Sequence, residues 1–314
     1  MNKLLILICI IIIATSPFFG QVDISMTNIF KQTTVDYQIF WDIRVPRSLL
    51  AFGVGGILAL SGMVFQTVFR NPMSTPFTLG VASGATLFTA IGIVLGFASF
   101  LSLFAFVGAM LTVITLFVVA SRFKTYETSS LLLVGIALSF FYSASLMVLF
   151  YVSDLSQSYE IVRFTMGSLD VVGYSDVNIV LLSALFIFTL VYRYKFELNL
   201  LLTSYELAHL KGIDVQKTNY ILLLGVSIAV AVCVSITGPI GFVGLIIPHI
   251  IKTITKQSAH KLIVPIFFYG GVFLVFCDLI ARNLGTVSDV PIGVITSFIG
   301  APFFIYLIMN RKKA

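Results

Sequence analysis

Charged residues are scarce in this sequence, in which Asp, Glu, Lys and Arg together make up 10% of 314 residues. An average soluble domain carries about 25%, so the chain has too few charges to cover a solvated surface. Hydrophobic residues make up 59%, and the mean hydropathy is +1.07. Apolar runs recur along the whole length without a long polar insert. We therefore predict one integral membrane domain over residues 1–314, with no separate soluble domain.

Motifs for catalysis are absent as well. The sequence contains no HExxH, no GxSxG, no GxxxxGK(S/T) and no pair of acidic residues within an apolar run. These absences argue against a membrane protease and against a nucleotide-binding subunit. We expect no catalytic residue and no cofactor, and we expect any ATP hydrolysis to take place in another chain.

Cysteine and histidine are also few. Cys9, Cys233 and Cys277 lie within apolar runs, with no CxxC spacing, and we interpret them as packed side chains. His249 lies in the apolar run of residues 237–252, where no second His, Cys or acidic residue is within helical reach. We interpret His249 as a structural residue and predict no metal site.

The apolar runs predict an all-α protein with about ten transmembrane helices, since one crossing takes about 20 apolar residues. The opening segment begins with a lysine and an apolar run, as signal peptides do, but no small-residue cleavage pattern is evident. We therefore favour a retained first span. The predicted spans lie near residues 4–20, 46–68, 75–95, 99–121, 128–152, 176–194, 217–236, 242–256, 261–282 and 291–309.

Lysine and arginine are unevenly divided between the two sides that these spans define. With a cytoplasmic N-terminus, five of the 19 fall outside and the rest inside; the five are Lys31, Arg44, Arg47, Arg163 and Arg282. Cations are retained on the cytoplasmic side, so we predict an inner-membrane protein with both termini in the cytoplasm. The charge of +6 would suggest nucleic acid for a soluble protein. Here we expect lipid and no nucleic acid as a partner.

Several motifs occur in a fixed order along the chain. RVPR at residues 44–47 precedes a span that ends near Gln66, and RNPMSTPFTLGVASGA follows at 70–85. Over nearly the whole chain this order resembles the FecCD/BtuC-type permeases of ABC importers, which take up ferric siderophores, haem and vitamin B12. The later motifs are GSL at 167–169, ELAHLKGID at 206–214, TGPIGFVGLIIPHIIK at 237–252, DLIAR at 278–282 and PIGVITSFIGAPFFIYLI at 291–308.

The resemblance implies ten spans per subunit and a complex of several chains. Two permease subunits, identical or sister chains, would join two cytoplasmic ATP-binding subunits and an external substrate-binding protein. The resemblance also implies that Arg44, Arg47 and Arg282 meet acidic residues of the binding protein. The alternative for Arg44 and Arg47 is that they reach the lipid headgroups. Arg282 has Asp278 one helical turn before it, and these two can simply form an ion pair.

A polar segment, residues 203–214, separates the sixth and seventh spans. Thr203 and Glu206 fit a capping box and Gly212 fits a helix C-cap, which predicts a short helix. It could be a plain connector, but the resemblance implies a coupling helix that lies in a cleft of the ATPase. The family more often has Leu-Gly where this chain has Leu210-Lys211-Gly212, which leaves the individual contacts less well defined than the role. The candidate contacts are Glu206, Leu207, Ala208, His209, Leu210 and Gly212.

Glycine and proline interrupt the apolar run of residues 237–252. We predict a re-entrant turn or short broken helix at residues 237–244, which membranes tolerate only where protein or a cavity covers the freed backbone groups. We place it at the substrate pathway, with Pro248 as a kink in the eighth span. The candidate pathway and gating residues are Gly62, Phe65, Gln66, Gly238, Pro239, Gly241, Gly244 and Pro248.

The sequence therefore predicts the permease subunit of an ATP-driven importer that works by alternating access. The chain looks most like ferric-siderophore permeases, of the catecholate or ferric-anguibactin kind, with haem and vitamin B12 permeases of the same family as the alternative. A secondary transporter driven by an ion gradient is a different class. It would place ionisable residues near the bilayer midplane, whereas here Asp278 and Arg282 lie toward one end of their span.

Overall fold

Helices form the regular secondary structure of the part of the chain that the computed structural model describes, which is residues 3–122, 128–203, 208, 210–255, 258–285 and 289–310. A helix satisfies its backbone polar groups internally, as a lipid environment requires. In chain order the longer helices are α1 (Lys3–Thr15), α2 (Val45–Val68), α3 (Val81–Val94), α4 (Leu101–Arg122), α5 (Thr128–Val152), α6 (Leu155–Met166), α7 (Ser175–Arg193), α8 (Lys195–Thr203), α9 (Val215–Thr237), α10 (Val243–Thr255), α11 (Ala259–Leu284) and α12 (Ile292–Asn310).

Apolar helices lie at all ten predicted positions. Within the described ranges, α2, α4, α5, α7, α9 and α11 are long and apolar enough to cross a membrane, and α1, α3, α10 and α12 contain shorter apolar stretches. At 1.5 Å per residue, the 13 residues of α10 cover about 20 Å of a hydrocarbon core that is about 30 Å thick. The prediction of an all-α membrane protein is confirmed, and α10 is too short to cross the membrane alone.

Helix α2 lies at the centre of the bundle. A turn of α-helix (Val35–Gln38) and a π-helical turn (Ile39–Arg44) lead directly into it. It packs against α11, α7, α10 and α9. Its most apolar stretch is 89% buried, whereas that of α5 is 11% buried. A Cβ at Gly55 would overlap the backbone carbonyl of Gly270 on α11, so glycine permits this close approach. Close packing supplies the association energy that apolar burial cannot supply within lipid.

Two helices, α6 and α8, were not predicted as separate elements. Helix α6 begins with a capping box, in which the side chain of Asp154 accepts from the backbone N–H of Gln157 at 2.7 Å and the Gln157 side chain accepts from the backbone N–H of Asp154 at 3.1 Å. This spacing is a helix start signal that can be read from sequence. Helix α8 leads directly toward the predicted coupling segment. Both helices are too short to cross a membrane.

Replacing Gly62 by alanine tests the contact between α2 and α10. A Cβ at Gly62 would overlap the backbone carbonyl of Gly244, so the helices must separate. We expect Gly62→Ala to lower stability by about 1–3 kcal/mol, the usual cost of overpacking, measured as a lower thermal unfolding midpoint in detergent. Gly241→Ala is the control, because a Cβ there would meet nothing within 4 Å. Equal midpoints for the two variants would contradict the close contact.

Candidate functional site

Helices α2 and α11 run in opposite directions, because Arg47 near the start of α2 contacts Asp278 near the end of α11, and the functional residues gather at two ends of the bundle. One end carries the start of α2 and the end of α11, and we call it the Arg47 end. The other carries the end of α2 and the segment between α8 and α9, and we call it the Arg70 end. The hydrogen bonds agree with this division, since Arg47 contacts Asp289 and Arg70 contacts Leu201.

An ion-pair cluster lies at the Arg47 end. Nε of Arg47 donates to Oδ1 of Asp278 at 2.8 Å, and its Nη1 donates to Oδ1 of Asp170 at 2.9 Å and to Asp289. The second oxygen of Asp278 lies 2.8 Å from Nη2 of Arg282. These five residues form what we call the Arg47 cluster. It joins α2 and α11 to the loops before α7 and before α12.

Burial explains why the charges of this cluster are paired. The Asp278 side chain has no exposed surface, and the Arg47 and Arg282 side chains are nearly as buried. An unpaired charge in such a place would cost several kcal/mol, so both partners must be present. The hydroxyl of Ser16 accepts from Nη2 of Arg282 at 2.9 Å and lies 2.9 Å from the hydroxyl of Ser48. The cluster therefore also fixes the end of α1.

The three arginines predicted to dock a partner are all at the Arg47 end, but they are buried. Arg44, Arg47 and Arg282 are 5%, 6% and 4% exposed. The guanidinium group of Arg44 donates to the backbone carbonyls of residues 17, 18 and 22 and holds that segment over the bundle. The alternative expectation for Arg282, an ion pair with Asp278, is confirmed. Docking by these arginines remains a prediction, and in this arrangement their side chains are bonded within the chain.

A cleft opens beside the Arg47 cluster. One side consists of the end of α6 and residues 167–170, and the other of residues 289–292. Asp170 also pairs with Arg163 at 3.3 Å. The sequence interpretation did not select Asp170, Asp289 or Arg163 as site residues. The sequence did contain one signal for them. Asp170 and Asp289 are acidic loop residues on the same predicted side of the membrane as Arg47 and Arg282, with which they could pair.

The predicted break in the run 237–252 is present. Helix α9 ends at Thr237, Gly238 has φ +66°, and α10 begins at Val243. The carbonyl of Thr237 accepts from the backbone N–H of Ser168 at 2.8 Å. A Cβ at Gly238 would overlap the carbonyl of Phe164, so the break packs closely on the end of α6. Protein rather than lipid thus covers part of this irregular backbone, as expected.

The candidate pathway residues fall into two groups. Gly62 and Gln66 face the start of α10, where the Gln66 amide donates to the carbonyl of Gly244 at 3.1 Å. Phe65 stacks on Phe69 at 5.7 Å between ring centroids and lines a separate apolar cavity. The structure does not bring Phe65 together with the break. Of the remaining candidates, Gly241 and Gly244 line a cavity beside residues 75–78, the carbonyl of Pro239 lies against Gly167, and Pro248 is buried within α10.

The predicted C-cap of the coupling segment is confirmed. Gly212 has φ +78°, and the N–H of Ile213 donates to the carbonyl of Ala208 at 3.1 Å. This bond is the hydrogen bond of a Schellman motif. Ala208 is buried and Leu210 is 80% exposed. Thr203 is the last residue of α8, while Glu206, Leu207 and His209 lie outside the described residues.

The Arg70 side chain ties α2 to the helix that leads into this segment. Its Nε and Nη2 donate to the carbonyl of Leu201 on α8 at 3.3 and 3.0 Å. Arg70 itself has φ +48°, which is uncommon for a residue with a side chain.

As for metals, the described residues contain no group of three or more His, Cys, Asp or Glu that could hold an ion.

Comparison with known proteins gives one family for nearly the whole chain. Residues 5–310 match the model of the FecCD transport family. The chain is 33% identical to the hemin transport system permease protein HmuU of Yersinia pestis, over 98% of this chain and 95% of that protein. It is 36% identical to the cobalamin import system permease protein BtuC of Halobacterium salinarum, over 86% and 73%. A solved metal-chelate type ABC transporter, inward-facing, has a TM-score of 0.86 and 30% identity, with 98% and 97% covered.

Replacing Asp278 tests whether the Arg47 cluster holds this end together. Asp278→Asn leaves two buried guanidinium groups without their shared carboxylate, and breaking a buried pair costs about 3–5 kcal/mol. We expect a large fall in the thermal unfolding midpoint of the purified protein in detergent. Asp176→Asn removes an exposed acid from the first turn of α7 at the same end and should change the midpoint little. Similar midpoints for the two variants would show that the cluster does not stabilise the fold.

Proposed function

The chain belongs to the FecCD transport family, and on that premise we propose that it carries a ferric siderophore across the membrane as one of two permease subunits of an ATP-driven importer. Its relatives are permease subunits of ABC transporters, in which a separate subunit hydrolyses ATP. The chain is accordingly a transport subunit and not an enzyme.

The distribution of charge is the observation that carries this proposal. In the described part of the long helices, Asp, Glu, Lys and Arg lie near the two ends of the bundle, and α2 has none between Arg47 and its C-terminus. Coupling to an ion gradient usually needs ionisable groups near the midplane. A pathway lined by small and apolar side chains instead suits a bulky chelate that must pass without tight binding. Haem and vitamin B12 are the alternative substrates, because one relative is named as a hemin permease and another as a cobalamin permease.

We propose that the Arg47 end faces the outside and that both termini lie in the cytoplasm of the cell, in its inner membrane. The scarcity of lysine and arginine at the Arg47 end supports this orientation. A loaded binding protein would dock there, near Arg44, Arg47 and Arg282. Because these arginines are buried, docking requires their present contacts to change.

The break before α10 is the proposed gate. Helix α10 meets α2 through the contact of Gly62 and Gln66 with Gly244, and this contact has little room for adjustment. A movement of α10 must therefore take place at the residues without helical structure before it or at Pro248 within it. We assign pathway and gating roles to this region, with Gly238, Pro239 and Gly241 in the break.

The segment between α8 and α9 is the proposed contact with the ATPase at the Arg70 end. Buried Ala208 anchors the end of its helix, and exposed Leu210 presents an apolar side chain outward. The contact set from the sequence, Glu206 to Leu210 with Gly212, remains a prediction. Movement of the ATPase would reach α2 through α8 and the bonds from Arg70 to Leu201.

Replacing Leu210 tests this contact. Leu210→Glu puts a charge where an apolar side chain would be buried, and losing one central interface residue weakens binding about tenfold or more. We expect less ATPase subunit to copurify with the permease, at unchanged permease yield. Leu155→Glu alters a similarly exposed leucine at the Arg47 end and should leave copurification intact. Full retention of the ATPase by the Leu210 variant would argue against the coupling assignment.

Uptake assays decide the substrate. Cells with and without the gene would be given radio-iron ferric siderophores, haem or labelled cobalamin. We expect the deletion to abolish accumulation of a ferric siderophore and to spare the other two substrates, with the intact gene restoring it. Loss of haem or cobalamin uptake alone would replace the siderophore by that substrate and leave the importer assignment in place.

A further inference from the structure

Arg47 holds together the two sides of the cleft. Its Nη1 is shared by Asp170, from the loop that follows α6, and Asp289, from the loop that precedes α12. These two loops are the opposite walls of the cleft. Two carboxylates this close repel each other unless a cation lies between them. Widening the cleft must therefore break a contact of Arg47 with one of the two.

The contacts of Arg47 differ in how easily they can be exchanged. The Asp278 side chain is fully buried, while those of Asp170 and Asp289 are 46% and 29% exposed. Water can solvate a half-exposed carboxylate that leaves its partner, so its release is less costly than that of a buried one. Asp170 also has a second cation, Arg163, at 3.3 Å. Asp170 is thus the contact of Arg47 that can be lost most readily.

We propose that Arg47, Asp170 and Asp289 form an ionic clasp that keeps the cleft closed, and that an acidic side chain of the docked binding protein opens it by replacing Asp170 on Arg47. This inference rests on the proposed docking at the Arg47 end. During the exchange Arg47 keeps Asp278 and gains a new carboxylate, so the buried guanidinium group is never left unpaired. Asp170 moves to Arg163 and to water.

The backbone gives this exchange a route to the break before α10. The N–H of Asp170 donates to the hydroxyl of Ser168 at 2.9 Å, and the N–H of Ser168 donates to the carbonyl of Thr237 at 2.8 Å. Thr237 is the last residue of α9, directly before Gly238. Displacing Asp170 thus loosens the loop that covers the break. Docking and gating would be linked through Asp170 and Ser168 of one loop and Thr237 at one helix end.

Thiol labelling inside the cleft tests the clasp. The three native cysteines are buried, and Ile292, which lines the cleft and is itself buried, can be changed to Ile292→Cys as the reporter. The permease would be studied in its complex with the ATPase in lipid nanodiscs, with and without its binding protein. Adding the binding protein should speed labelling of the reporter. Combining the reporter with Asp170→Asn should speed labelling about threefold to fivefold without the binding protein, the range that a half-exposed ion pair supports.

Two further variants keep the outcome clear. Asp176→Asn removes a carboxylate from the same end without touching the clasp and should label like the parent. Asp170→Glu retains the charge and should also keep labelling slow, which separates loss of the ion pair from damage to the loop. Thermal unfolding of each variant reports folding.

The results separate the clasp from the docking on which it rests. If Asp170→Asn labels no faster than Asp176→Asn, the clasp is wrong, even where the binding protein still binds and speeds labelling. If Asp170→Asn labels faster but the binding protein neither binds nor speeds labelling in the parent, the clasp closes the cleft and the proposed docking fails. If the binding protein speeds labelling as much in Asp170→Asn as in the parent, exchange at Asp170 is not how it opens the cleft.

Discussion

The carboxylate of Asp278 lies between the guanidinium groups of Arg47 and Arg282, and the arrangement of one end of the molecule depends on this contact. A buried charge cannot be left without its partner, so α2 and α11 must meet in the one register that brings the three groups together. The hydroxyl of Ser16 adds the end of α1 to the same contact. Two loops are then added through Nη1 of Arg47, which contacts both Asp170 and Asp289.

Close backbone contacts fix the middle of the bundle, where few polar groups are available. Helix α2 meets α11 at Gly55 and Gly270 and meets α10 at Gly62 and Gly244. Dispersion contacts of this kind require short distances, which only glycine allows here. Helix α2 is therefore held at its end by charge and along its length by packing. Movement has to take place around it, at the short α10 and at the break before it.

The two ends of the bundle use polar groups in different ways. At the Arg47 end, Arg47 and Arg282 are buried and face carboxylates of the same chain. At the Arg70 end, Arg70 instead donates to a backbone carbonyl, and Leu210 presents an exposed apolar side chain. The first arrangement can change by exchanging one carboxylate for another. The second suits a rigid connection to a moving partner, because a backbone carbonyl moves only with its helix.

Local features of the sequence determined much of this structure. Ten apolar runs fixed the helices, Gly238 and Pro239 marked the break, and Gly212 marked a helix end, because span length, chain breaks and caps depend on neighbouring residues. The Asp154–Gln157 cap of α6 was equally local and was missed. The partners of Arg47 were decided by tertiary structure alone. Asp170 and Asp289 lie 123 and 242 residues away, and such a contact depends on which helix ends meet, which no local pattern encodes.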